Sequence, residues 1–156
     1  MSDSPSIVFR VARREDVPAI VALLEDDAVA ASRRQAGAVA PDYEHAFDAI
    51  DADPRNWLIV AESGGVTVGT LQITYIPSLS RQGSERAQIE AVRIRSDLRG
   101  QGIGGRMMEW AIGQAKERGC RLVQLTTDKR RTAAHRFYAT LGFKSSHDGM
   151  KLVIER

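Results

Sequence analysis

The sequence predicts an α/β (α+β) fold: one mixed, mostly antiparallel sheet of about seven strands with helices on both faces. Three observations carry this reading. Short β-branched runs are separated by turn residues, and one pair of them is joined by Ser63-Gly64-Gly65, a hairpin signal. A strand–helix–strand crossover surrounds the clearest helical pattern in the chain. The 156 residues, 43% hydrophobic and 27% charged, suit one domain with one core, residues 1–156.

Ile7 to Ala12 alternates and reads as a first strand. Asp16 is placed to cap a short helix with Pro18 in its first turn, and Val17, Ile20, Val21 and Leu24 form its apolar face. Residues 28–41 are Ala-rich and match no element. Tyr43 to Ala52 reads as a second helix, ended near Asp53-Pro54. Trp57 to Glu62 and Val66 to Tyr75 are the strands of the hairpin, Pro77 to Ser84 is a polar loop, and Ala87 to Arg95 is a further strand. Ile103, Met107, Trp110, Ala111 and Ala115 recur at helical spacing, with Gly119 just past the end. Leu122 to Thr126 is a short strand and Thr132 to Leu141 a helix ended by Gly142. Two short strands around Phe143 and Lys151–Ile154 close the chain.

Composition excludes several classes. Twenty-two Lys and Arg against 20 Asp and Glu leave a net charge of +2, too small an excess to imply nucleic acid as a partner. No apolar run approaches the roughly 20 residues that span a bilayer, so no membrane partner is expected. Residues 1–6 are polar and lack a signal-peptide core. Cys120 is the lone cysteine, which forbids an intrachain disulfide and suits a reducing cytoplasm. The three histidines show no ligand spacing, so no metal is expected.

Chemistry concentrates in a glycine loop. Gly100, Gly102, Gly104 and Gly105 lie between a strand and the strongest helix, interleaved with Gln101 and Ile103 and flanked by Arg99 and Arg106. Free N–H groups at a helix start suit a phosphate or pyrophosphate, glycine lets the ligand approach the backbone, and arginine adds charge-assisted hydrogen bonds. A Walker A loop fails, because Arg106 and Met107 follow where Lys and Ser or Thr are required. Gly100, Gly102 and Gly105 match the Rossmann pattern literally. However, Ser96 to Arg99 intervene after the strand, and the chain beyond Asp128 is too short for the remaining crossovers.

The stretch Val92 to Gly104 instead resembles the acetyl-CoA-binding motif of the GNAT superfamily, which reads Arg or Gln, two residues, Gly, one residue, Gly or Ala. Here these are Arg99, Gly102 and Gly104. A second signature follows in Ala134-His135-Arg136-Phe137-Tyr138-Ala139-Thr140-Leu141-Gly142-Phe143, and the order of elements is similar throughout. The resemblance implies an N-acetyltransferase with acetyl-CoA as cosubstrate. It also implies a bulged strand whose N–H near Val92 binds the acetyl oxygen, while Val92 and Ile94 backbone groups hold pantetheine. The family often has Asn seven residues before the tyrosine; this chain has Arg131.

The residues themselves bear on the chemistry. Apolar residues change parity along the strand, from Ile89 to Val92 and Ile94, and a strand of period two changes parity through a bulge. Glu90 sits at that change. It is a candidate base if partly buried, or else a cross-strand partner for Arg93 or Arg95. Tyr138 lies about 100° round the helix from the stripe of Ala134, Phe137 and Leu141, and the resemblance gives it the role of general acid toward the leaving thiolate. Otherwise it is a core aromatic. His135 reads as an exposed helical residue and Cys120 as a small core residue.

The acceptor, a small-molecule or protein amine, is the least legible partner. Glu25, Asp26 and Asp27 cluster at the end of the first helix, against the helix dipole, and an acidic cleft mouth would favour a cationic primary amine. Exposed edges of the terminal strands suit a homodimer. The competing readings are an acetyl-CoA-binding sensor without catalysis and a nicotinamide-binding fragment.

Overall fold

Five runs of alternating residues pair into one sheet in the order β1-β2-β3-β4-β5. They are β1 (Ile7–Val11), β2 (Asn56–Ser63), β3 (Val66–Ile76), β4 (Arg86–Ile94) and β5 (Leu122–Leu125). The first three pairings are antiparallel and β4 with β5 is parallel, so the sheet is mixed and mostly antiparallel. The computed structural model describes residues 6–26 and 42–155. These fall into two compact units, one ending at Leu125 and the other beginning at Thr126.

In the first unit, α1 (Val17–Glu25) and α2 (Tyr43–Ala52) lie over one face of the sheet and α3 (Ile103–Glu117) over the other. Val60 shares a buried cluster with Val17, Ile20 and Phe47. Phe9 lies opposite Ala61, on the other face, and its ring meets Trp110 of α3 at 5.9 Å. The apolar stripe of α3 buries Ile103, Met107, Met108, Ala111 and Ala115. Gly119 takes φ 89° just beyond, as a helix-ending glycine does. Arg118 then lies 4.1 Å from the Tyr75 ring centroid and donates to Glu85 at 2.5 Å, tying the end of α3 to β3 and to the residue just before β4.

Asp42 caps α2 as its position suggests, accepting from the His45 N–H at 3.0 Å. Asp16 behaves otherwise. Its carboxylate turns away from α1 to accept two bonds from Arg10 (2.7 and 2.9 Å) and one from the Arg13 N–H (2.7 Å). Arg10 also donates to Glu62 at 2.9 Å. The buried Asp16 thus locks the entry of α1 onto β1. The Arg10 guanidinium holds the Asp16 carboxyl below its ordinary value of 3.8. A depressed carboxyl contributes stability above its unfolded-state pKa and loses it as pH falls through the folded one. Wild type is therefore expected to lose stability below about pH 4, and Asp16→Ala to lack that part of the acid limb while costing about 3 kcal/mol at neutral pH. Urea titrations of both proteins at pH 3, 5 and 7 check this.

Two expectations are corrected. Five strands form rather than about seven: Phe143 and Lys151–Ile154 are in no strand. Leu152, Val153 and Ile154 are consecutive rather than alternating apolar residues and lie 82–90% exposed. Strand propensity without a paired ladder and one buried face does not make a strand. The C-terminal strand edges offered for a homodimer go with them, while the N-terminal strand β1 stands at one edge of the sheet. His135 is half-buried rather than exposed, with Nε2 3.3 Å from the Asp128 carbonyl oxygen.

Candidate active site

The parity change in β4 is a β-bulge. Gln72 pairs with Glu90 and Thr70 with Arg93, so Ala91 and Val92 together oppose Leu71. Ala91 takes φ 54°, a left-handed conformation that costs an L-residue about 1–2 kcal/mol. Gly69 lets the strands close up beyond the bulge: a Cβ there would lie 2.8 Å from Ile94 Cδ1 and 3.1 Å from the Arg93 carbonyl oxygen.

On its other side β4 loses its partner at the same level. Pairing with β5 runs from Arg86–Leu122 to Ile89–Leu125 and stops. From Glu90 to Ile94, β4 is therefore paired on one side only among the described residues. The backbone of Val92 and Ile94 lies along this one-sided stretch. Glu90 is exposed, so the partial burial that was the condition for its role as a base is absent, and its carboxylate also joins none of the ion pairs among the described residues. Of the two arginines that could have held it, Arg95 is paired with Asp97 at 2.6 Å and Arg93 Nη1 donates to the Val92 carbonyl at 2.8 Å.

The strand leads through a short turn, Ser96–Leu98, into the glycine loop. Arg99 Nε donates to the Ile94 carbonyl at 3.2 Å, which fixes the loop against the end of β4. Gly100 and Gly102 take φ 78° and 82°, so these two glycines are required by the turn. Gly104 and Gly105 are different. Neither has positive φ, and a Cβ on Gly105 would meet nothing within 4 Å. Glycine in a helix costs up to about 1 kcal/mol relative to alanine, so at position 105 the protein's own packing does not call for it. Among the described residues, Arg106 is the first in this stretch whose N–H finds a partner, the Gly102 carbonyl at 3.1 Å. The N–H groups of Gly100, Gln101, Gly102, Ile103, Gly104 and Gly105 have no backbone partner among the described residues. A row of donors without backbone partners at a helix N-terminus, with exposed Arg106 beside it, has the chemistry to hold the pyrophosphate of a coenzyme.

Tyr138 belongs to the second unit, on α4 (Thr132–Thr140). There it is half-buried, its ring 5.2 Å from Phe137 and 5.9 Å from Phe143. Arg131 stands at the N-cap of α4, its N–H on the Asp128 carbonyl at 2.9 Å. Cys120 is half-buried, and burial together with Glu85 pushes its thiol pKa up, which suppresses the nucleophilic thiolate.

At the end of α1, Glu25, Asp26, Thr67 and Arg95 line an open hollow of about 590 Å³. Glu25 accepts from the Tyr43 hydroxyl at 2.9 Å. Asp27, the third acidic residue of that cluster, lies outside the described residues. Among the described residues no three His, Cys, Asp or Glu side chains gather as a metal site, and no helix is long and apolar enough to cross a membrane.

Comparison with known proteins agrees with this geometry. The acetyltransferase (GNAT) family matches residues 17–143. The aminoalkylphosphonate N-acetyltransferase of Salmonella typhimurium (strain LT2) is 31% identical over 109 residues, covering 68% of this chain and 70% of that protein. A crystal structure from Bacillus halodurans C-125, described as a transcriptional regulator, is 47% identical with a TM-score of 0.87, covering 96% of this chain and all (100%) of that one. A structure from Agrobacterium tumefaciens str. C58 assigned as an acetyltransferase is 26% identical with a TM-score of 0.80, covering 94% and 99%. The chain belongs to the acetyltransferase (GNAT) family and is an N-acetyltransferase that draws its acetyl group from acetyl-CoA.

Proposed function

We propose that the chain acetylates a cationic primary amine by direct attack of the amine on the thioester. The observation that carries the cosubstrate half is the row of unpartnered N–H groups from Gly100 to Gly105, continuous with a β4 that is bulged and one-sided from Glu90 onward. Such a strip of main-chain donors and acceptors suits an elongated ligand with an anionic middle. In this reading Val92 and Ile94 hold the pantetheine arm through their backbone, and the N–H near Val92 receives the acetyl oxygen. One preorganised donor of that kind is typically worth about 3 kcal/mol of barrier. Bound acetyl-CoA supplies the activated acetyl group. Although it is not buried, Glu90 is open to the incoming ammonium and joins no ion pair among the described residues. In this reading it takes the ammonium proton, directly or through water, while Tyr138 gives a proton to the departing sulfur.

The acceptor half rests on charge. Asp26 and Glu25 line the hollow at the end of α1, and an acidic mouth raises the local concentration of cations. The acceptor in the Salmonella relative's name is an aminoalkylphosphonate, an amine that also carries an anionic group, so the test must include one. CoA thiol release should be measured against cationic, anionic and aromatic amines at 50 and 300 mM salt. The expected result is the highest kcat/KM for a cation, falling as salt rises. A best acceptor that is anionic, or a rate indifferent to salt and to Asp26→Asn, removes the electrostatic part. A gene-regulatory role, as the Bacillus halodurans structure is described, is a second reading; the net charge of +2 gives it no electrostatic footing on nucleic acid.

A further inference from the structure

One level along the sheet from Glu90, on the same face, every strand of the unit but β1 contributes a polar side chain. Asn56 pairs with Thr74, Thr74 with Gln88 and Gln88 with Gln124, so the four cross β2, β3, β4 and β5 as a single row. Directly paired residues point to the same face of a sheet. The neighbouring level on that face holds Leu58, Gln72 and Glu90, with Leu58 at the margin of the apolar cluster under α1 and α2. The row therefore begins where that cluster ends, and it is half-buried throughout.

Its hydrogen bonds are only partly used internally. Asn56 is mostly used: its Nδ2 donates one hydrogen to Asp53 at 2.9 Å, and its Oδ1 accepts from Thr74 at 2.7 Å and Gln72 at 3.3 Å. Gln124 Nε2 donates to Gln88 Oε1 at 2.6 Å. That leaves Gln88 Nε2, Gln124 Oε1 and Gln72 Oε1 without partners among the described residues. None of these atoms is sealed from solvent, since the buried unpartnered side-chain atoms are on Tyr75, Arg86 and Arg93. Were the Gln88–Gln124 pair turned round, it would still leave one donor and one acceptor side by side. An adjacent donor and acceptor, both neutral, match a hydroxyl group, which both gives and accepts. A carboxylate would meet an acceptor here, and an apolar acceptor would strand all three groups in a half-buried site.

We propose that this row selects a hydroxylated amine as the acceptor, with Gln88 and Gln124 as specificity-determining residues. The proposal rests on the amine-acetylation reading above and narrows its substrate class. Glu90 lies two residues from Gln88, about 6.6 Å along the strand. An amine proton held at Glu90 places a hydroxyl several bonds away over the amide pair.

The matched probes are trans-4-aminocyclohexanol and cyclohexylamine, which differ by one hydroxyl. Wild type should favour the alcohol about tenfold in kcat/KM, the value of one well-placed neutral hydrogen bond with its partners left unpaired when it is lost. In Gln88→Met and in Gln124→Met that ratio should fall toward one. A purely structural role for either glutamine would lower both rates and leave the ratio standing. Calorimetric titration of each amine into the CoA-loaded protein gives the second readout, with the same preference and the same loss. Equal kcat/KM for the two amines in wild type, a ratio unchanged in both variants, or equal or absent binding of the two amines overturns the proposal. Absence of CoA binding, or of thiol release with any amine at all, overturns the acetylation reading itself, a different result from turnover without hydroxyl preference.

Discussion

Tyr138→Phe is expected to lower kcat by about 10²–10⁴-fold while leaving the affinity for CoA within a few-fold of wild type, the loss typical of a removed general acid. The substitution deletes one oxygen and keeps the ring. The contacts of that ring with Phe137 at 5.2 Å and Phe143 at 5.9 Å should therefore hold α4 as before. The separation of kcat from binding decides the matter, because a packing role would show in stability and not in turnover. The pH–rate profile adds an independent measure. Glu90→Gln should remove the acidic limb that a carboxylate base produces, whereas Tyr138→Phe should leave that limb in place at a lower plateau. A Tyr138→Phe enzyme with wild-type turnover reduces the tyrosine to packing. A profile unchanged by Glu90→Gln removes Glu90 as the base.

Gly104→Val is expected to weaken CoA binding by about 10²-fold or more. Hydrogen bonds to charged groups are worth about 1.5–3 kcal/mol each, and a side chain over the donors of Gly104 and Gly105 would displace at least one phosphate oxygen from both. Position 104 is a cleaner probe than 102. Gly102 caps α3 at φ 82°, so valine there would strain the loop whatever it did to the ligand. Gly104 has no positive φ, so the backbone itself does not oppose valine there, and the folding check decides whether the variant is usable. Circular dichroism confirms folding and calorimetry gives the affinity. Unchanged CoA affinity in a folded Gly104→Val protein would show that the coenzyme does not use this helix start.

Much of the fold was legible because its signals are local. The apolar stripe of α3, the Gly119 that ends it and the Gly64-Gly65 hairpin each depend on residues a few positions apart, and each forms where its pattern lies. The bulge was legible for the same reason: the change of parity between Ile89 and Val92 is written in the strand, and the register shift follows it. The closing strands were misread because Leu152-Val153-Ile154 carries strand propensity, and propensity does not supply a partner. Asp16 was misread because a short acid before a helix is a local cap signal. Its true partner, Arg10, lies across the turn on β1, and the charged pair outcompetes the helix N–H groups.

By itself the sequence determined the chemistry on offer: a glycine run at a helix start, a strand forced to bulge beside a carboxylate, and a tyrosine in a second motif. These follow from backbone sterics and short-range periodicity, which act within one element. Only the tertiary structure decided which groups remain available. Pairing between β4 and β5 stops at Ile89, and that leaves Glu90 to Ile94 open on one side. Four residues spread from Asn56 to Gln124 come into register as one polar row, although nothing in their sequence spacing relates them. Register between strands is set by the summed burial and hydrogen bonding of whole elements, so a row that crosses four strands exists only once the sheet has formed.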